Sequence, residues 1–217
     1  MKKQFFFTTF FGFCFIFGVF SFAQQSATLK IIHLECHKTT ERSEDEVYFI
    51  ISGKTNRGKN IIERVPGYNH GDHWDMNDGK KDANRNIRNR QVFTMNLDSG
   101  EIVQLNVLMM EEDGGTSKEW QQLAGAILIK IPDPTGTCQT IGSISLIISP
   151  FLNFKDRDDF IGSFAVTIQN KDGVLITQWA GLDQVEKFQS NWENHCNWFW
   201  LMMNGDGAYY GAVFSVE

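Results

Sequence analysis

"KDRDDFIGSFAVTIQNKDG", residues 155–173, decides how the fold is read. Three aspartates run into a stretch where Phe164, Val166 and Ile168 alternate with Ala165, Thr167 and Gln169. A period of two sends successive side chains to opposite faces of a strand. The stretch closes on Asn170-Lys171-Asp172-Gly173, turn residues that send the chain back into a partner strand.

Working outward, the same period returns along most of the chain. Ile32, Leu34 and Cys36 follow it, as do Val47, Phe49 and Ile51, and Val103, Leu105, Val107 and Met109. It appears again at Ile127, Ile129 and Ile131, at Ile144, Leu146 and Ile148, and at Tyr210, Ala212, Phe214 and Val216. A second turn, Asn204-Gly205-Asp206-Gly207, separates the last pair of strands. So many half-buried strands with turns between them predict an all-β chain, an antiparallel sandwich of about eight strands. One short helical connection is expected from Asp183, where Asp183 and Glu186 have capping-box spacing and Val185, Phe188 and Trp192 could share a face.

Residues 1–23 carry Lys2 and Lys3, then a phenylalanine-rich apolar run, then Ser21-Phe22-Ala23. This is the layout of a secretory signal peptide cleaved before Gln24. Residues 24–217 are then expected as a single β-sandwich domain without a transmembrane segment, secreted or periplasmic. Losing Lys2 and Lys3 takes the formal charge from −6 to −8, which argues against nucleic acid as a partner. Cys36, Cys138 and Cys196 remain, an odd number that allows at most one internal disulfide and matches no zinc knuckle.

Acidic residues gather at strand ends. Glu44, Asp45 and Glu46 precede "VYFII"; Glu111, Glu112 and Asp113 follow "VQLNVLMM"; Asp156, Asp158 and Asp159 precede "FIGSF". If the topology brings these ends together, like charges crowd one rim, and a bound cation relieves them. Calcium suits such loops better than magnesium, because it accepts six to eight oxygens in flexible geometry.

"EDEVYFII" and "KDRDDFIGSF" resemble segments of calcium-binding C2 domains, in which an acidic loop enters a strand and alternating aspartates precede an aromatic, an aliphatic and a glycine. In that family the aspartates lie on loops at one end of an eight-stranded sandwich and ligate the ions. The resemblance implies Asp45, Asp156 and Asp158 as ligands, with Asp159 beside them. Asp113 joins them if "LMMEEDGG" is instead the family's aspartate loop. "WDMNDG", residues 74–79, adds a looser similarity to secreted bacterial sandwich proteins.

"HGDHWDMND", residues 70–78, supplies a second constellation. His70 and His73 with Asp72, Asp75 and Asp78 could form a nitrogen–oxygen metal site for a hydrolase. Their spacing differs from the helical H-E-x-x-H arrangement, and Pro66, Gly67, Gly71 and Gly79 indicate a loop. No G-x-S-x-G elbow, phosphate-binding loop or dinucleotide fingerprint occurs. The tryptophans of "NWENHCNWFW", residues 191–200, are expected mainly in the core, with Trp198 and Trp200 on one strand face.

These readings converge on a secreted, non-enzymatic binding module with calcium at an acidic rim, its partner an extracytoplasmic protein, a glycan or a lipid surface. The alternatives are a metal-dependent hydrolase centred on residues 70–78 and a metal-free structural or adhesive domain.

Overall fold

The architecture comes from a computed structural model that describes residues 23–40, 44–69, 71–79, 85–113, 119–134, 158–181 and 198–217. Ten strands and one helix form in those residues. They are β1 (Gln25–Lys38), β2 (Asp45–Thr55), β3 (Asn60–Val65), β4 (Trp74–Met76), β5 (Asn86–Leu97) and β6 (Ile102–Glu111). The helix α1 (Glu119–Lys130) follows, then β7 (Asp159–Lys171), β8 (Val174–Gly181), β9 (Trp198–Gly205) and β10 (Ala208–Val216).

All pairings are antiparallel, in two sheets. One runs β5-β1-β10-β9; the other runs β3-β2-β6-β7-β8, with β4 pairing to the start of β2. The expected antiparallel sandwich is present, with ten described strands rather than about eight. Both hairpin turns form where the sequence places them. Asp172 and Gly173 have φ of 53° and 88°, and Asp206 and Gly207 have φ of 47° and 91°. Positive φ at both central positions is the turn whose twist matches paired strands.

The two sheets bury their facing side chains against each other. Leu29, Ile31, Phe49, Ile51, Leu105, Val107, Val166, Ile168, Leu201 and Phe214 belong to this layer. Phe214 joins the sheets, its ring 4.5 Å from that of Phe164 and edge-on to Phe49 at 6.0 Å. At one end Asn170, wholly buried, donates to the carbonyls of Leu97 and Ala23 at 2.8 Å and accepts from the Gly173 amide at 2.9 Å. It thereby ties the β7–β8 turn to the opposite sheet.

A second, smaller core explains why β2 and β6 are apolar on both faces. Tyr48, Ile50, Leu108 and Met110 point away from the first layer and pack under α1 against Trp120, Leu123, Ala124 and Ile127. A helix of 12 residues is marginal by itself. Burial of each large apolar side chain, about 1.5–3 kcal/mol, holds it in place. Trp120 Nε1 also donates to the Tyr68 carbonyl at 3.3 Å, and Ser52 Oγ to the Ala124 carbonyl at 3.0 Å.

Three sequence expectations change. Ile127, Ile129 and Ile131 do not form a strand: Ile127 and Ile131 are buried and Ile129 is 82% exposed. The period that governs is 3.6, through Trp120, Leu123, Ala124, Ile127 and Ile131. In β1 an irregularity between Ile31 and His33 shifts the alternation. Leu29, Ile31, Leu34 and Cys36 point inward, and Ile32 does not. Trp198 and Trp200 share a face, but it is the outer one: Phe199, Leu201 and Met203 occupy the core positions of β9, and Trp198 is 55% exposed. The helix expected from Asp183 and the strand through Ile144, Leu146 and Ile148 lie outside the described residues.

Candidate metal centre at the acidic rim

Strand pairing decides where the acidic stretches go. Val47 of β2 lies opposite Glu111 of β6, and Glu111 lies opposite Asp159 of β7. The start of β2, the end of β6 and the start of β7 therefore meet at one end of the sandwich. The β9–β10 hairpin of the other sheet closes over this end. A Cβ added to Gly205 would lie 2.3 Å from the Phe160 carbonyl oxygen, so only glycine lets the two chains approach so closely.

Alternation then sorts the carboxylates into two groups. Glu111, two residues past core-facing Met109, and its cross-strand partner Asp159 face the space between the sheets. There Glu111, Asp113 and Asp159 each place a carboxylate oxygen within 4.8 Å of the others. Glu111 is buried, Asp159 partly so, and Asp113 exposed, so the group opens from the core to solvent. Burial pushes the Asp159 carboxyl up to about 7, and the hydrogen bond and charge of Asp206 add to it, followed by the charges of Asp113 and Asp158. Asp206 belongs to the β9–β10 turn, so both sheets contribute negative charge. An oxygen-only donor set with crowded carboxylates matches a hard divalent cation.

Asp158 and Glu112 face the other way, toward α1. Asp158 accepts the hydroxyl hydrogen of Tyr48, whose own ionisation is pushed well upward, by burial first and by Asp158 next. Glu112 is held by Arg64 Nη2 at 3.1 Å, the Gly71 amide at 3.0 Å and His73 Nδ1 at 2.7 Å. Arg64 in turn donates to the Gly67 carbonyl at 3.0 Å and lies 4.0 Å from the centre of the Tyr48 ring. Arg64 and Glu112 are almost wholly buried, which makes them a mutually dependent pair.

The other residues nominated from sequence have separate surroundings. Asp45 is fully buried below the rim. It accepts from the Thr40 amide at 2.9 Å, from Thr40 Oγ1 at 3.0 Å and from Tyr210 Oη at 2.6 Å. Cys36, opposite Tyr210 in the sheet, is a buried free thiol. Burial, with smaller contributions from Asp45 and Asp78, pushes it up to about 11. Asp156, Cys138 and Cys196 lie outside the described residues.

Residues 71–78 are not wholly the expected loop: Trp74–Met76 form β4, and the contacts of Gly71 and His73 centre on Glu112. His73 presents Nδ1 to Glu112 and Nε2 to Asp75, 3.3 Å away. Asp72 accepts from the Asn69 amide at 2.9 Å, and His70 lies outside the described residues. Among the described residues, the only grouping of three or more His, Cys, Asp or Glu side chains with metal-binding proximity is Glu111, Asp113 and Asp159.

Sequence reasoning put Asp113 and Asp159 among its candidates and passed over Glu111 and Asp206 as ligands. Glu111 did carry a signal, an acid at the core-facing parity of a strand. Asp206 appeared only as a turn residue, because nothing local shows that its hairpin reaches β7. Comparison with protein-family models, curated proteins and solved structures gives no significant match. The chain is thus defined by its own architecture: an antiparallel two-sheet sandwich with one helix-covered face and an acidic rim.

Proposed function

We propose that the protein is an extracytoplasmic binding module whose rim holds a divalent cation, calcium by chemistry, and presents it to a partner. The observation that carries this reading is the convergence of Glu111, Asp113 and Asp159 within 4.8 Å. Carboxylates so close repel one another in the cation-free state; the upward push on Asp159 comes first from burial, then from Asp206, and the charges of Asp113 and Asp158 add to it. A cation reverses the sign of that repulsion. The signal-like residues 1–23 support an extracytoplasmic address, and the similarity to C2 domains supports loop carboxylates as ligands. The ligand set in this proposal is Glu111, Asp113 and Asp159, with Asp206 beside them. A cation at the exposed side of such a group could bridge to an anionic lipid, an acidic glycan or a protein carboxylate.

The test is calorimetric titration of chelator-treated protein with calcium, using magnesium as control. Saturable, calcium-selective heat that disappears in Asp113→Asn/Asp159→Asn supports the reading. Folded wild-type protein with no calcium heat overturns it.

A further inference from the structure

We infer that the outer face of the central strands β6 and β7 carries a site for a neutral, hydroxyl-bearing molecule, built by Asn106, Ser163 and Thr167. These side chains are 0%, 5% and 2% exposed. Among the described residues, both amide atoms of Asn106, Ser163 Oγ and Thr167 Oγ1 are buried and have no hydrogen-bond partner. Buried donors and acceptors are nearly always paired, and the exceptions call for an explanation. Four such atoms on one face call for a shared one.

The sheet register places them together. Asn106 lies opposite Ala165, Leu108 opposite Ser163 and Gln104 opposite Thr167. Ser163 and Thr167 are therefore the two diagonal neighbours of Asn106, about 7–8 Å from it. Across β2, Asn106 faces Ser52, whose hydroxyl is satisfied by the Ala124 carbonyl of α1. Small side chains flank the buried carboxamide on both neighbouring strands, Ala165 on β7 and Ser52 on β2, with a hydroxyl at each diagonal.

The chemistry selects the occupant. A carboxamide offers two donors and an acceptor oxygen, and each hydroxyl both donates and accepts. None of the three residues carries a charge. An ion of either sign would suit the two hydroxyls but only one end of the carboxamide, its oxygen for a cation or its NH2 for an anion. A set of hydroxyl groups, each donating and accepting at once, serves both ends of the carboxamide and the two side-chain hydroxyls. Its two sources are ordered water, which commonly bridges buried polar groups, and the hydroxyls of a small polyol or sugar. This inference is independent of the cation at the rim.

Two measurements on the folded protein test it: a crystal structure that resolves ordered solvent, and thermal melts with millimolar glucose or glycerol. Millimolar additives are too dilute for the general stabilisation that excluded osmolytes give. A water oxygen within hydrogen-bond distance of Asn106 and of Ser163 or Thr167, with melts unmoved, assigns the site to water. A melting temperature raised by glucose or glycerol in the wild type but not in Ser163→Ala/Thr167→Val assigns it to a polyol. That double variant removes only two hydroxyls, and Asn106→Leu serves as a second probe. Asn106, Ser163 and Thr167 bonded to protein groups, or a dry site with melts unmoved, overturns the inference.

Discussion

Protons and calcium should compete at the rim, and Asp159 sets the terms. Its carboxyl is held at about 7 rather than 3.8 in the cation-free protein, by burial and then by Asp206, Asp113 and Asp158. A cation must displace that proton. For one competing proton with this pKa, the apparent calcium affinity falls about tenfold from pH 8 to pH 6, and about half a proton is released per calcium at pH 7. Titrations at pH 6, 7 and 8, in two buffers of different ionisation enthalpy, measure both quantities.

The same shift fixes a stability slope with a definite sign. Between roughly pH 4 and pH 7 the native state holds a proton on Asp159 that the unfolded chain has lost, so the contribution to stability declines as pH rises through that window. Asp159 is partly solvated, so screening reduces the effect well below that of a buried charge, to about 1–2 kcal/mol. Asp159→Asn should stabilise the cation-free protein relative to wild type by that amount more at pH 8 than at pH 4, measured by urea unfolding with chelator present. Calcium affinity that is equal or tighter at pH 6, or an Asp159→Asn difference that does not grow with pH, would refute the reasoning.

Further outcomes follow from single contacts. Asp158→Asn keeps an acceptor for Tyr48 and should weaken calcium binding less than Asp159→Asn in the same titration; the reverse order would move the ligand set toward α1. Arg64→Ala takes the guanidinium from the buried Glu112 carboxylate and leaves it only the Gly71 amide and His73; it should cost about 3–5 kcal/mol in urea unfolding, much of it recovered when Glu112→Gln is added. Gly205→Ala, whose Cβ would meet backbone oxygens at 2.3 and 2.6 Å, should destabilise by about 1–3 kcal/mol and weaken calcium binding by displacing Asp206. Cys36, buried and pushed up to about 11, should resist alkylation at pH 8 in the native protein and react on unfolding, as read by peptide mass mapping.

How far the sequence alone reaches can be judged from particular residues. Alternation located β2, β6, β7 and β10, because each packs one face against the other sheet and that constraint repeats every second residue. The same rule failed at Ile127, Ile129 and Ile131. Three isoleucines at spacing two fit a strand, and only the longer pattern from Trp120 shows the helical stripe. It also slipped at Ile32, since a one-residue irregularity reverses facing without any mark in composition.

The site divides along the same line. That acidic stretches occupy strand ends is local information, and the sequence displays it openly. Which carboxylates converge depends on pairing: Asp158 and Asp159 are neighbours in the chain, yet alternation sends one to Tyr48 and the other toward Asp206. Glu111 reaches Asp159 only through the β6–β7 register, and Asp206 reaches it only because Gly205 lets the hairpin close on β7. An acid at a core-facing strand position is therefore a sharper sign of membership in the acidic group than a run of acids. Glu111 satisfies that criterion and sits in the group, whereas Asp45 satisfies it and is consumed by Thr40 and Tyr210. Parity narrows the candidates, and strand register decides which of them meet.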